Sequence, residues 1–220
     1  MARDLGFSVP PEHREAAELI CEHLVSVRGG ALFLSNADAL RLLDWLDRRV
    51  PVPHILVAID HAWLKRQKKR SRLPLTLGQA NRYLGKPSPG AFSGAPEGEV
   101  APGLAPLLAR LSEAVESGDP HGARLAELRN ALAGIDSDSE QRTAAMALIT
   151  RFHTRLWQDL PAAEQQSARE AARGDLGDLV HMVDEPTLVA IVEEAAIGHV
   201  RRGYAWLSVA SVQDLLGAPQ

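Results

Sequence analysis

Lys65, Arg66, Lys68, Lys69, Arg70 and Arg72 place six positive charges within eight residues, directly after the apolar Ala62-Trp63-Leu64. So dense a cationic cluster sets up a local field that attracts carboxylates or phosphates. An acidic protein surface is the leading partner for these six residues and nucleic acid the alternative, with Tyr83 or Trp63 available as a stacking face. A sequence pI near 6.1 and an aromatic content of 5% weigh against a dedicated nucleic-acid binder. A second copy of the chain is a further candidate partner. Two plainer readings compete: a solvated helix end, and an internal partner for acidic groups elsewhere in the chain.

Other residue types offer less. The eight histidines are scattered, with neither the His-Glu-x-x-His spacing of zinc hydrolases nor paired Glu-x-x-His units. Cys21 and His23 lie two apart, so on a helix their side chains diverge, and a small buried thiol is the simpler account of Cys21. His181, Asp184 and Glu185, with Glu193, Glu194 and His199, could converge as acid and base. They read more simply as the polar faces of neighbouring helices, and the His181/Glu193 region supports only a third, lesser reading as a helical enzyme. Gly78 to Gly85-Lys86 has six intervening residues where a phosphate loop needs four, and Ser93 lacks the spacing of a nucleophile elbow. Asp60, in an otherwise apolar helix, reads as a cap or as the partner of a neighbouring helix, with His61 facing water. The expectation is therefore no enzyme, no cofactor and no metal site.

The elements that must carry these residues are helical. After Pro10-Pro11, Ala16, Leu19, Ile20, His23, Leu24 and Val27 recur at helical steps until Gly29-Gly30. Ser35 followed by Asp38 reads as a helix start, with Ala39, Leu42, Leu43 and Leu46 on one stripe. Pro53 suits the first turn of a helix that carries Ile55, Ile59, Ala62 and Trp63 into the basic cluster, and Thr76 with Gln79 forms a capping box for a short helix closed by Gly85. Further stripes begin at Leu104, at Leu125, after Asp136-Ser137-Asp138, after Pro161, around Leu176–Val183, after Pro186 and at Ser208. The class is all-α, with helical modules and no substantial sheet.

Charge divides the chain. Residues 1–86 hold 14 basic and 9 acidic groups, a net of +5, and residues 87–220 hold 10 and 19, a net of −9. Residues 86–103 contain four prolines and four glycines without periodicity, which reads as a linker or long loop. The expected organisation is a basic N-terminal helical module over 1–85, a linker over 86–103 and an acidic C-terminal helical module over 104–220. A lone cysteine, no leader pattern and no bilayer-length apolar window suggest a cytoplasmic protein without membrane partners.

Leu34-Ser35, Asp38, Leu42-Leu43, Trp45, Val50-Pro51, Ile55-Leu56, Ile59-Asp60, the basic exit and Tyr83-Leu84 resemble a bacterial helical module of similar Leu-Ser, Trp, Pro and Ile-Asp spacing. The same residues 34–84 have a distant likeness to the C-terminal helical domain of DnaD-like primosomal proteins. That resemblance implies DNA contact and oligomerisation, although the aromatic-rich end of that domain is reduced here to Tyr83. The leading expectation is a non-catalytic regulatory or adaptor protein that docks on an acidic partner through the basic helix end. The alternative is a DNA-binding accessory protein of replication or chromosome maintenance.

Overall fold

Local start and stop chemistry delimits the helices seen in the computed structural model, which describes residues 8–29, 34–67, 74–86, 103–135 and 139–216. A 3-10 turn over Pro11–His13 leads into α1 (Arg14–Arg28), which Gly29 ends at φ 73, a conformation that favours glycine. Ser35 accepts from the Asp38 amide to start α2 (Asn36–Asp47), and Thr76 accepts from the Gln79 amide to start α4 (Leu77–Ala80). Each such cap contributes about 1 kcal/mol. Between them, α3 (Val52–Gln67) has Pro53 in its first turn and carries the basic residues Lys65 and Arg66 in its last.

The second half continues with α5 (Ala105–Glu116), α6 (Gly122–Leu132), α7 (Ser139–Gln158), α8 (Ala162–Leu176), α9 (Glu185–Arg202) and α10 (Val209–Leu216). Asp184 caps α9 by accepting from the Thr187 amide, and Ser208 accepts from the Ser211 amide at the start of α10. The described residues contain ten α-helices and no strand, an all-α fold. The start proposed for α7 at Asp136-Ser137-Asp138 lies outside the described residues. No described helix is long and apolar enough to cross a membrane.

The change of charge at residue 86 does not coincide with a break in packing. One core cluster contains Ile20 and Leu24 of α1, Trp45 of α2 and Ile55 and Ile59 of α3, together with Leu107, Leu125, Ile149, Leu156 and Val212 from beyond the charge boundary. Helix α1 packs on α3, α7 and α9, and α3 packs on α10. A smaller cluster joins Ala172 and Leu176 of α8 to Leu188, Ile191, Val192 and Ala196 of α9. The modules expected over 1–85 and 104–220 thus share one interior, because the apolar stripes of α1 and α3 are too broad to be covered by the short α2 and α4 alone.

Candidate functional site

The basic helix end is built on a buried carboxylate. Glu194 of α9 receives the Arg66 guanidinium in a fork, Nε to Oε1 at 2.9 Å and Nη2 to Oε2 at 3.2 Å, and its Oε2 also accepts from the Leu75 amide at 2.9 Å. The Arg66 side chain is only 12% exposed, and its Nη1 donates to Gln79 Oε1 at 3.3 Å. Arg66, expected to face a partner, is therefore committed inward; a bidentate guanidinium–carboxylate pair is among the stronger polar contacts a helix end can make. Lys65 is exposed. Lys68, Lys69, Arg70 and Arg72 lie outside the described residues.

Cations that the sequence run does not include surround the same helix end. The His61 ring stacks on Tyr83 with centroids 4.2 Å apart, and Lys86 Nζ lies 5.3 Å from the Tyr83 centroid. Burial, then the charges of Lys65 and Lys86, lower the His61 pKa from its usual value. Arg82, exposed, precedes Tyr83 in the 3-10 turn Asn81–Tyr83. His61 is thus half-buried against an aromatic ring, where the sequence suggested that it faces water. Trp63 is buried beneath the Arg201 guanidinium, 5.0 Å from its ring, and offers no stacking face to a ligand. Lys86 and Arg82 join this face through the fold; their sequence signal is only that all four lysines fall within residues 65–86.

A second constellation lies in the interior, where α1, α3, α7 and α9 meet. His23 places Nε2 3.0 Å from Asp60 Oδ1 and Nδ1 3.0 Å from Thr150 Oγ1. Arg201 reaches Asp60 Oδ1 at 3.6 Å and donates from Nη1 to the Ser26 carbonyl at 3.1 Å and to Ser26 Oγ at 3.2 Å. Hydroxyl, imidazole and carboxylate in line have the composition of a nucleophilic triad. Thr150, His23 and Asp60 are nevertheless 0%, 1% and 1% exposed, so no substrate carbonyl reaches the hydroxyl, and the array acts as a buried polar tie between helices. Asp60 accordingly pairs with neighbouring helices, as its place in an apolar helix suggested.

This interior fixes protonation states. Burial opposes charge on Asp60, but His23 and Arg201 outweigh it and hold the carboxyl below the usual value. Burial, then Arg201, push His153 well below 6.5 and keep it neutral. Unfolded histidine takes up a proton near pH 6.5 that folded His153 refuses. Its contribution to stability is therefore complete above about pH 6.5 and declines on acidification, by up to about 1.4 kcal/mol per pH unit. Asp60 contributes above about pH 3.9 and loses that contribution as pH falls through its lowered folded value. Urea midpoints should fall between pH 7.5 and 5, with a shallower fall in His153→Gln; a midpoint flat over that interval would overturn the assignment.

The remaining candidates are dispersed among separate contacts. Asp184 caps α9, Glu193 accepts from Trp157 Nε1 at 2.9 Å and from Arg169 Nε at 2.7 Å, and His199 pairs with Asp175 at 3.0 Å. His181 is exposed at the end of a 3-10 turn. Cys21 is buried, and burial raises its thiol to about 12, which removes thiolate chemistry near neutral pH. Among the described residues no three His, Cys, Asp or Glu side chains group as metal ligands. No protein-family model, curated protein or solved structure matches the chain.

Proposed function

We propose that the chain is a non-catalytic docking protein that receives an acidic protein surface on the cationic end of α3. Lys65 begins that face; Lys68, Lys69, Arg70 and Arg72 follow it in sequence, and Arg82 and Lys86 flank Tyr83. The observation that carries the reading is the Glu194 clamp: one buried carboxylate holds Arg66, near the start of the basic run, and the Leu75 amide after its end. A run tied at both ends to the core loses less freedom on binding than a free tail, so more of its electrostatic attraction remains as affinity.

Tyr83, between the His61 ring and Lys86, favours a second reading in which the same face binds nucleic acid as an accessory DNA-binding protein. One experiment separates the two. Lys65, Lys68, Lys69 and Arg70 are replaced together by glutamine, and the tagged full chain is used to capture partners with and without nuclease. The docking reading expects a specific protein that survives nuclease and is lost with the variant. Retention on a DNA column that falls steeply with salt and disappears in the variant would move the assignment to nucleic acid. Identical behaviour of variant and parent in both assays would remove both readings.

A further inference from the structure

A groove of about 490 Å³ lies between α6 and α7. Its apolar lining is Ala123, Leu128 and Ala131 of α6 with Leu148 and Phe152 of α7. Five charged residues complete it: Arg124 and Glu127 of α6, Arg151 and Arg155 of α7, and Asp159 directly after α7. These positions recur at three- and four-residue steps on both helices, so the lining repeats once per turn over about 10–16 Å of helix. The groove shares no residue with the cationic end of α3.

The charges of the groove are unevenly engaged. Arg124 pairs with Asp159, Nη2 to Oδ2 at 3.1 Å, where α6 begins and α7 stops. Arg151 and Arg155 are exposed one turn apart on α7, and among the described residues neither is in ion-pair contact with a carboxylate. Asp159 is the one acid at helical pairing distance from either of them, and Arg124 holds it. Like charges at this spacing repel along a helix, so α7 carries an unfavourable pair that an external carboxylate would relieve. Other arginines of the acidic half are engaged inside the protein: Arg142 donates to the Leu216 carbonyl, Arg169 to Glu193 and Arg201 to Ser26. Glu127, exposed on the facing wall, confines the surplus positive charge to the α7 edge.

We infer that the α6–α7 groove receives an acidic amphipathic helix of a partner protein, with apolar side chains seated on Leu128, Leu148 and Phe152 and carboxylates on Arg151 and Arg155. A helix matches the lining turn for turn: its apolar residues at three- and four-residue steps meet the floor, and acids four apart meet the two guanidiniums. The seam between two packed helices takes a third helix by the same ridge-and-groove packing that joins them. Charge selects among amphipathic helices, since a basic one would set its cations against Arg151 and Arg155. The inference does not depend on what the cationic end of α3 binds.

The probes are three fluorescein-labelled, alanine-based peptides of about 18 residues, long enough to hold helix. The first has leucines at helical steps and glutamates along one edge, the second has lysine for glutamate, and the third keeps the composition of the first with the leucine spacing scrambled. Titrated against the full chain by fluorescence anisotropy, the first should bind saturably below about 100 μM and at least about tenfold more tightly than the other two. It should shift the methyl resonances of Leu128 and Leu148, and it should bind undiminished when Lys65, Lys68, Lys69 and Arg70 are replaced by glutamine. Arg151→Glu with Arg155→Glu, both at exposed positions, should weaken it at least about tenfold while the circular dichroism spectrum is unchanged. Equal binding of the three peptides, binding undiminished in the folded double variant, binding lost with the glutamine replacements, or no saturable binding would each overturn the proposal. Decanoate shifting the same methyls while no peptide binds would overturn it too, and would assign the groove to a small amphiphilic anion.

Discussion

Asp60→Ala should lower the unfolding free energy by about 3–5 kcal/mol, the range for removing one partner of a buried charge pair. The loss of side-chain packing is a minor part, because only a carboxymethylene group goes. The larger part is what remains: Arg201, 4% exposed, keeps its guanidinium in the interior without the carboxylate, and His23 keeps an Nε2 that no longer faces an acceptor. Burial already lowers the Arg201 pKa, and Asp60 is the group that opposes this shift. Asp60→Asn retains the shape and should fall between alanine and the parent. Asp60→Leu combined with Arg201→Leu removes both charges and should be less damaging than either change alone, giving a coupling energy well above the few tenths of a kcal/mol typical of independent sites. Urea unfolding of the four proteins measures it, and additive losses would show that the two charges do not depend on each other.

The size of that effect follows from where the pair lies. Asp60 belongs to the basic N-terminal half and Arg201 to the acidic C-terminal half, and Thr150, through His23, brings in α7 as well. A change at Asp60 therefore loosens α1, α3, α7 and α9 together. In a chain with two separate cores the same substitution would unfold only one of them. A single cooperative transition in the parent, followed by fluorescence of its tryptophans and by circular dichroism, is the matching expectation.

What could be read in the sequence was local. Ser35, Thr76 and Ser208 act on amides three residues away, and Gly29 ends α1 by its own backbone, so short windows contain both partners. Helical stripes were legible for the same reason: Ile20, Leu24 and Val27 share a face whatever they pack against. Contacts that define the candidate sites span the chain. His23 meets Thr150 across 127 positions and Arg66 meets Glu194 across 128, and no spacing rule links them. Two signals did point inward: His23 lies on an apolar stripe, and Asp60 stands in an apolar helix where a carboxylate needs a cation. The fate of Arg66 was hidden because Glu194, alone among the acids of α9, is aimed at it by tertiary packing. Lys86 likewise joins Lys65 around His61 only through the turn that follows α4.

Glu194→Ala is expected to cost about 3 kcal/mol, the lower part of the range for breaking a buried ion pair, since the Arg66 side chain at 12% exposure can recover some solvent. It also removes the acceptor of the Leu75 amide, which is itself buried, and that second loss distinguishes a clamp from a simple ion pair. Exchange of the Leu75 amide with deuterium should accelerate at least about tenfold in Glu194→Ala and much less in Arg66→Met, where Glu194 remains to accept. Under conditions where each variant is folded, Arg66→Met should leave capture of the acidic partner nearly unchanged, while glutamine at Lys65, Lys68, Lys69 and Arg70 abolishes it. Arg66 would then be a positioning residue, with Lys65, Lys68, Lys69 and Arg70 carrying the contact. Loss of capture in a folded Arg66→Met protein with normal Leu75 exchange would reverse that division, since it would require Arg66 to leave Glu194 and touch the partner directly.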